Sequence, residues 1–355
     1  MSTFTSAGNV PSIPSNTEFV RNAWYVAAPS KDIGEELVGR QILDEPIVMY
    51  RTDSGPVALF DACAHRRFPL SKSQRVGDKI RCAYHGWEYD ITGACTHIPS
   101  ADRIPVTAAV KKYPLVERYD MIWIWMGEAD QADPSLIPDC SHFETGRTTL
   151  EQINISCHYQ LLIENLLDFS HVPFVHHNQQ GHSKLANVVP KAGVEDGAVV
   201  LTRSMPDTVV PPLWHNVMGL PLGAPMNHDQ RFVYRAPGVV NVHQVISSVQ
   251  NPEQRFMFST NHFVTPDGLD KTHYTWVICL SWEGVSDDVL RTMHVGAADV
   301  ADQDVVALEL QQKNLQHLRD YQVSSPVVSV PFDSGALLSR QVLRKLAGEP
   351  VRADA

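Results

Sequence analysis

The chain has 355 residues, of which 43% are hydrophobic and 19% charged, with 20 Gly and 24 Pro, a composition that excludes a disulfide miniprotein, a disordered polymer and a fibrous repeat. Its 29 basic and 40 acidic residues sum to a formal charge of -11, and this disfavours sequence-independent nucleic-acid binding, which needs a Lys/Arg surplus against the phosphate backbone. No run approaches the ~20 apolar residues of a membrane span, so no membrane partner is expected.

From the N-terminus, the stretch MSTFTSAGNVPSIPSN has no Lys, no Arg and no apolar block. It reads as the flexible leader of residues 1–20 and not as a secretory signal, and a cytoplasmic location is expected. Between Asn22 and Trp125, short β-type runs (WYVAA, QILDEPIVMYR, PVALFDA, MIWIWM) alternate with turn clusters such as Asp53-Ser54-Gly55-Pro56, predicting an all-β domain over 21–132. A Pro-rich stretch, Asp133 to Asp139, opens a second domain, 133–355. Within it, Leu161, Leu162, Leu166 and Phe169 have helical spacing over Gln160 to Phe169. Residues 195–285 return to strand alternation, and Asp304 to Tyr321 reads as a helix without Gly or Pro. The fold class is therefore α+β. The stretch HNVMGLPLGAPMNHDQ, near 215–230, reads as a long loop without an assignable role.

Six cysteines (Cys63, Cys82, Cys95, Cys140, Cys157 and Cys279) are few for this length. In a reducing compartment they are expected as ligands or buried apolar residues and not as disulfides. Two have histidine neighbours, in Cys63-Ala64-His65 and Cys82-Ala83-Tyr84-His85. A Cys2His2 set can hold one zinc, but zinc fingers put both Cys on one element and both His on the other. Here each loop offers one of each, which suits a Rieske [2Fe-2S] centre with two Cys on one iron and two His on the other. Arg66, Arg67, Lys72, Arg75, Lys79 and Arg81 give the same region local positive charge: either a solvated face or a docking patch for an acidic electron donor.

These segments, CAHRRFPLSKSQ and RCAYHGWEYDITGAC, resemble the Rieske signature of ring-hydroxylating and demethylating oxygenases, including the His85-Gly86-Trp87 after the last ligand. Arg67 and Phe68 depart from the small residues usual there, and Ala83 from a common proline.

Further along, Asn165, Asp168 and His171 stand at i, i+3 and i+6, positions that share one face of a helix. His171 and His176 lie about 140° apart on a straight helix, so a shared metal requires a bend, for which Pro173 is the expected cause. Two imidazoles and one carboxylate with open positions are the ligand set of non-haem Fe(II) oxygenases. The segment ENLLDFSHVPFVHH is similar to the mononuclear-iron motif of the same oxygenase family, in which a distant aspartate completes the set. DQDVVALELQQKNL resembles the helix that begins near that third ligand and favours Asp304 over Asp302, with His177 a possible decoy. In the family the aspartate matching Asp168 connects a ligating His to a Rieske His across a subunit boundary, which implies a homotrimer, and Asn165 has either a capping or packing role or one near the iron.

The resemblance covers nearly the whole chain. It is nearest the branch of vanillate O-demethylase and dicamba monooxygenase oxygenase components, and RNAWYVAA, THYTWVICLSW and DSGALLSRQVLRKLA also look like that branch. It implies a Rieske β domain joined to a helix-grip (START-like) catalytic domain with an antiparallel sheet. It also implies a terminal oxygenase that uses O2 to oxidise a substituted aromatic acid, by O-demethylation with release of formaldehyde; ring hydroxylation or aryl-ether cleavage is the alternative. No Gly-rich nucleotide fingerprint follows a strand, so NADH is expected to act only through a separate reductase or ferredoxin. His243, Asn261, His262 and Trp282, in strand-like runs, are the candidate substrate residues, able to bind a carboxylate or stack on a ring.

Overall fold

The computed structural model describes residues 19–179, 183–321 and 327–348, so most of the expected leader lies outside the described residues. The chain divides into two compact units, one of residues 21–137 with 265–269, the other of the remainder.

The first unit is built of short strands: β1 (Ala23–Pro29), β2 (Val38–Ile42), β3 (Glu45–Thr52), β4 (Gly55–Phe60), β5 (Gln74–Val76), β6 (Lys79–Arg81), β7 (Glu88–Tyr89), β8 (Cys95–His97), β9 (Leu115–Arg118) and β10 (Met121–Met126). They form three sheets, β1-β10-β9, β2-β3-β4 and β5-β6-β7-β8. The run MIWIWM of β10 lacks alternation because all six side chains are buried, the pattern of a strand covered on both faces. Cys63 and Cys82 belong to one apolar cluster with Val48, Tyr50, Leu59, Leu70, Ile80 and Tyr89.

The second unit contains β11 (Arg147–Ile155), α1 (Tyr159–Leu167), α2 (Val172–Val175), β12 (Lys191–Glu195), β13 (Ala198–Val209), α3 (Pro212–Met218), β14 (Pro225–Arg235), β15 (Val239–Ser248), β16 (Arg255–Gly268, except its last four residues, which fall in the first unit), β17 (Lys271–Leu280), α4 (Asp287–Asp320) and α5 (Ser334–Leu346). Its strands make one sheet in the order β11-β17-β16-β15-β14-β13-β12. Side chains alternate between the faces of a strand, and the even-numbered positions of β14 to β17 turn toward α4, enclosing a cavity with Met293, Ala297, Val300, Ala301 and Asp304. Those α4 residues follow i, i+4, i+7, i+8 and i+11, a single helix face.

Three sequence expectations change. The helix read over Asp304 to Tyr321 begins at Asp287, capped by Ser286 Oγ, which accepts from Val289 N at 3.2 Å, with Asp287 and Asp288 favourably placed in the first turn. The 215–230 stretch is not a loop: α3 runs to Met218, Gly219 ends it at φ 68, and β14 starts at Pro225. Helix α1 stops at Leu167, since Asp168 is extended at φ -108 and ψ 125. Asn165, Asp168 and His171 therefore do not share one helix face. Among the described residues, no helix is long and apolar enough to cross a membrane.

Candidate metal centres and substrate cavity

In the first unit, two loops of one design face each other. In one, Arg67 N–H donates to Cys63 O at 2.8 Å; in the other, Gly86 N–H donates to Cys82 O at 2.9 Å. Each turn closes on a left-handed residue, Arg67 at φ 59 and Gly86 at φ 73, a conformation free for glycine and costing about 1 kcal/mol for arginine. Both cysteines are buried, and burial together with the neighbouring Cys63 sulfur pushes the Cys82 thiol up. His65 and His85 are exposed, their ring centres 4.5 Å apart, and His65 stacks on Trp87 at 4.9 Å. Two sulfurs inside and two imidazoles outside fit a cluster with one sulfur-held and one nitrogen-held iron. The Tyr89 hydroxyl lies 3.1 Å from Cys63 Sγ and accepts from Ala64 N–H at 3.0 Å. Of the basic residues nearby, Arg81 is bound to Glu88 and Arg75 to Gly77 O, whereas Arg66 and Arg67 are exposed.

In the second unit, α2 is a single turn with His171 at its start and His176 at its end, Val175 N–H donating to His171 O and His176 N–H to Val172 O. Pro173 does not bend the chain. It sits in the first turn, where a missing N–H costs nothing; the break lies earlier, between Asp168 and Ser170. The turn carries both imidazoles to Asp304, whose Oδ1 is 3.5 Å from His171 Nε2 and 3.2 Å from His176 Nε2. One ligand atom from each of the three falls within 4.8 Å of the others. A divalent ion with bonds of about 2.1 Å separates adjacent ligands by about 3 Å, so the trio fits one ion with positions left open. Asp302 is exposed and outside this group, and exposed His177 is turned to Phe174 O at 3.1 Å.

Neighbouring side chains hold the trio. Gln303 Oε1 is 2.8 Å from His176 Nδ1, and Asn165 Nδ2 donates to Asp304 Oδ1 at 3.1 Å. Burial is the largest influence and opposes charge on His176, but the Asp304 carboxylate and the Gln303 amide together outweigh it and move the imidazole pKa up. Asp168 Oδ2 lies 3.8 Å from His171 Nδ1, an ion-pair distance beyond hydrogen bonding, while Asp168 Oδ1 accepts from Ser170 N at 2.7 Å. Its burial favours the acid form, and His171 and the Ser170 amide override this, so its pKa falls below the usual carboxylate value.

Known proteins share both units. Residues 23–114 match the Rieske [2Fe-2S] domain, and residues 155–349 match the vanillate O-demethylase oxygenase C-terminal domain. The vanillate O-demethylase oxygenase subunit of Pseudomonas sp. (strain HR199 / DSM 7063) is 30% identical over 350 residues, covering 95% of this chain and 98% of that one.

The chain belongs to the vanillate O-demethylase oxygenase family.

The oxygenase component of dicamba O-demethylase from Stenotrophomonas maltophilia is 39% identical to this oxygenase over 192 residues, 53% of this chain and 57% of that one. The crystal structure of dicamba monooxygenase bound to 3,6-dichlorosalicylic acid superposes with a TM-score of 0.85 at 28% identity, covering 94% of this chain and 98% of that one. The family and the fold make this chain a Rieske non-haem iron oxygenase, an oxidoreductase.

The cavity of the oxygenase, about 790 Å3 with its mouth, opens beside His171, His176 and Asp304. Of the four expected substrate residues, His262 alone lines it, with Nδ1 2.7 Å from the Tyr274 hydroxyl; burial holds this imidazole neutral, its pKa down to about 3. His243 and Asn261 are odd-numbered on strands whose even positions face the cavity. His243 bonds Ser259 Oγ at 2.9 Å, and Asn261 is buried against Asn241 and His142. Trp282, beyond the end of β17, packs edge-on against Phe256. Sequence reasoning missed Phe169, Trp214, Phe232, Phe258, Trp276 and Gln244 as cavity residues. The signal that finds most of them is strand parity counted outward from His262.

Proposed function

We propose that this oxygenase removes the methyl group of a methoxy-substituted aromatic acid, with His171, His176 and Asp304 holding Fe(II) and Cys63, His65, Cys82 and His85 holding the [2Fe-2S] cluster. The observation that carries the reading is the convergence of two imidazoles and one carboxylate at the wall of an apolar, aromatic cavity. The names of the relatives support it: vanillate and dicamba O-demethylases, and a toluene-4-sulfonate monooxygenase system subunit of Comamonas testosteroni at 29% identity. In this reading the cluster domain spans 21–132 and the iron domain 133–355. The protein is a cytoplasmic homotrimer, and electrons come from NADH through a separate reductase or ferredoxin.

The bound iron supplies the open positions at which O2 is activated. Gln303 accepts from His176 Nδ1–H, which turns Nε2 toward the iron. Asn165 steadies the Asp304 carboxylate through its amide. Asp168 orients His171 and, in the trimer, connects it to a cluster histidine of a neighbouring subunit. Phe169, Phe232, Phe258, Trp214 and Trp276 exclude water and present flat apolar surface to a ring. The overall change, Ar–OCH3 + O2 + 2 e⁻ + 2 H⁺ → Ar–OH + CH2O + H2O, balances with an external two-electron donor. A single turnover tests it: the iron-loaded protein is reduced chemically, freed of reductant, and given O2 with methoxy-, methyl- and phenoxy-substituted aromatic acids. The expected products are formaldehyde and the matching phenol, and an oxygenated ring without formaldehyde overturns the reading.

A further inference from the structure

A polar line runs across the inner face of the sheet from a buried arginine to the cavity wall. Arg203 on β13 stands opposite Gln230 on β14, which stands opposite Gln244 on β15. Arginine only donates, so Arg203 Nε, 2.6 Å from Gln230 Oε1, sets the direction of that amide. The Gln230 amide nitrogen is left to donate onward, to Gln244 Oε1 at 2.8 Å. His228 Nε2 meets the same oxygen at 2.8 Å. With its oxygen engaged twice, Gln244 has its NH2 group to present, and Gln244 lines the cavity.

The charge behind this line has no carboxylate at ion-pair distance among the described residues, and the Asp168 carboxylate balances it only from further off. Arg203 is 6% exposed, donates to Leu185 O at 3.0 Å and lies 4.6 Å from the centre of the Phe169 ring, itself part of the cavity wall. Its Nη2 has no hydrogen-bond partner among the described residues, and no carboxylate is ion-paired with it among them. Burial lowers its pKa to about 10, which leaves it charged at neutral pH. A buried cation offset only by the Asp168 carboxylate, which acts on it without touching it, still favours a further anion brought nearby.

We propose that Gln244, polarised through Gln230 by Arg203, is the specificity-determining donor for the anionic oxygen, carboxylate or sulfonate, of the aromatic substrate. This rests on the aromatic-acid reading above and assigns its acid group to one end of the cavity. The test measures binding by the iron-loaded protein through the fluorescence of Trp214 and Trp276, which line the cavity. The probes are the three methoxybenzoates, their methyl esters and the three methoxybenzenesulfonates. Wild type is expected to prefer acids to esters. Gln244→Met is expected to weaken the acids by ~10- to 100-fold, the worth of a hydrogen bond to a charged group, with esters changed less than ~3-fold. Arg203→Met is expected to lower the acid-to-ester ratio in the same sense, and Gln244→Met decides alone if that variant does not fold. The tighter of the benzoate and sulfonate series names the anion. No acid preference in wild type, unchanged acid binding in Gln244→Met, or equal loss for acid and ester each overturns the assignment. Formaldehyde from an acid whose affinity ignores Gln244→Met sinks this inference alone; acid selectivity lost in that variant, with no formaldehyde from any acid, sinks the demethylase reading alone.

Discussion

Gln303 has no metal-binding atoms of consequence, yet it is placed to govern the proposed iron site. Its amide oxygen stands 2.8 Å from His176 Nδ1 and, by accepting a hydrogen bond there, favours the tautomer that leaves Nε2, the atom facing Asp304, able to bind a metal. Replacing it with an apolar residue of similar length leaves the ring free to rotate and to exchange tautomers. Gln303→Leu is therefore expected to weaken iron retention by roughly 10- to 100-fold, measured as iron released to a chelator, with the absorption of the cluster unchanged. Equal iron retention in the variant and wild type would show that α2 alone orients the ring. The same scale explains what strand reading overlooked: Gln230, Gln244 and Arg203 look like ordinary polar strand positions until the cross-strand register places them in one line.

At the scale of elements, the site depends on how α1 ends and on what holds it. Arg340 of α5 grips Glu164 of α1 through two 2.6 Å contacts, Nε to Oε1 and Nη2 to Oε2, one residue before Asn165. Both side chains are about 15% exposed or less, so removing one strands the charge of the other. Arg340→Met is expected to cost about 2–4 kcal/mol, read as a lowered denaturant midpoint, and Arg340→Met with Glu164→Met to recover more than half of it. Additive losses in the double variant would mean that the two residues act independently. Helix α4 is long because one face serves two ends: Met293, Ala297, Val300 and Ala301 close the cavity, while Gln312 accepts from the His158 amide beneath α1 at 3.0 Å.

For the whole molecule, buried histidines set the response to acid. His158 is 2% exposed and burial lowers its pKa to about 4; the same cause lowers His243 to about 4. Near pH 5 the unfolded chain, with histidines at about 6.5, binds protons that the folded chain refuses. Stability is thus intact above about pH 6.5 and falls as pH drops toward 4, by on the order of 2 kcal/mol for His158. Urea midpoints from pH 7.5 to 4.5 are expected to trace this fall, with a shallower slope in His158→Asn, which keeps an acceptor for the Gln160 amide. A slope identical to wild type would assign the acid sensitivity to other groups. Much of the rest was legible in the linear chain. The β character of 22–125, the α+β class of the remainder and the two Cys/His pairs follow from alternation and spacing, because these are local properties of neighbouring residues. Asp304 was named through a resemblance, since nothing local ties it to histidines more than 120 residues away. What only the tertiary structure decided is convergence: that a single turn, and not a proline kink, brings His171 and His176 to Asp304, that His262 faces the cavity while His243 and Asn261 face away, and that an arginine on one strand orients an amide two strands off. Contacts of that kind depend on register and on the even or odd position of each residue, and a shift of one residue, invisible in composition, reverses the face on which every side chain of a strand lies.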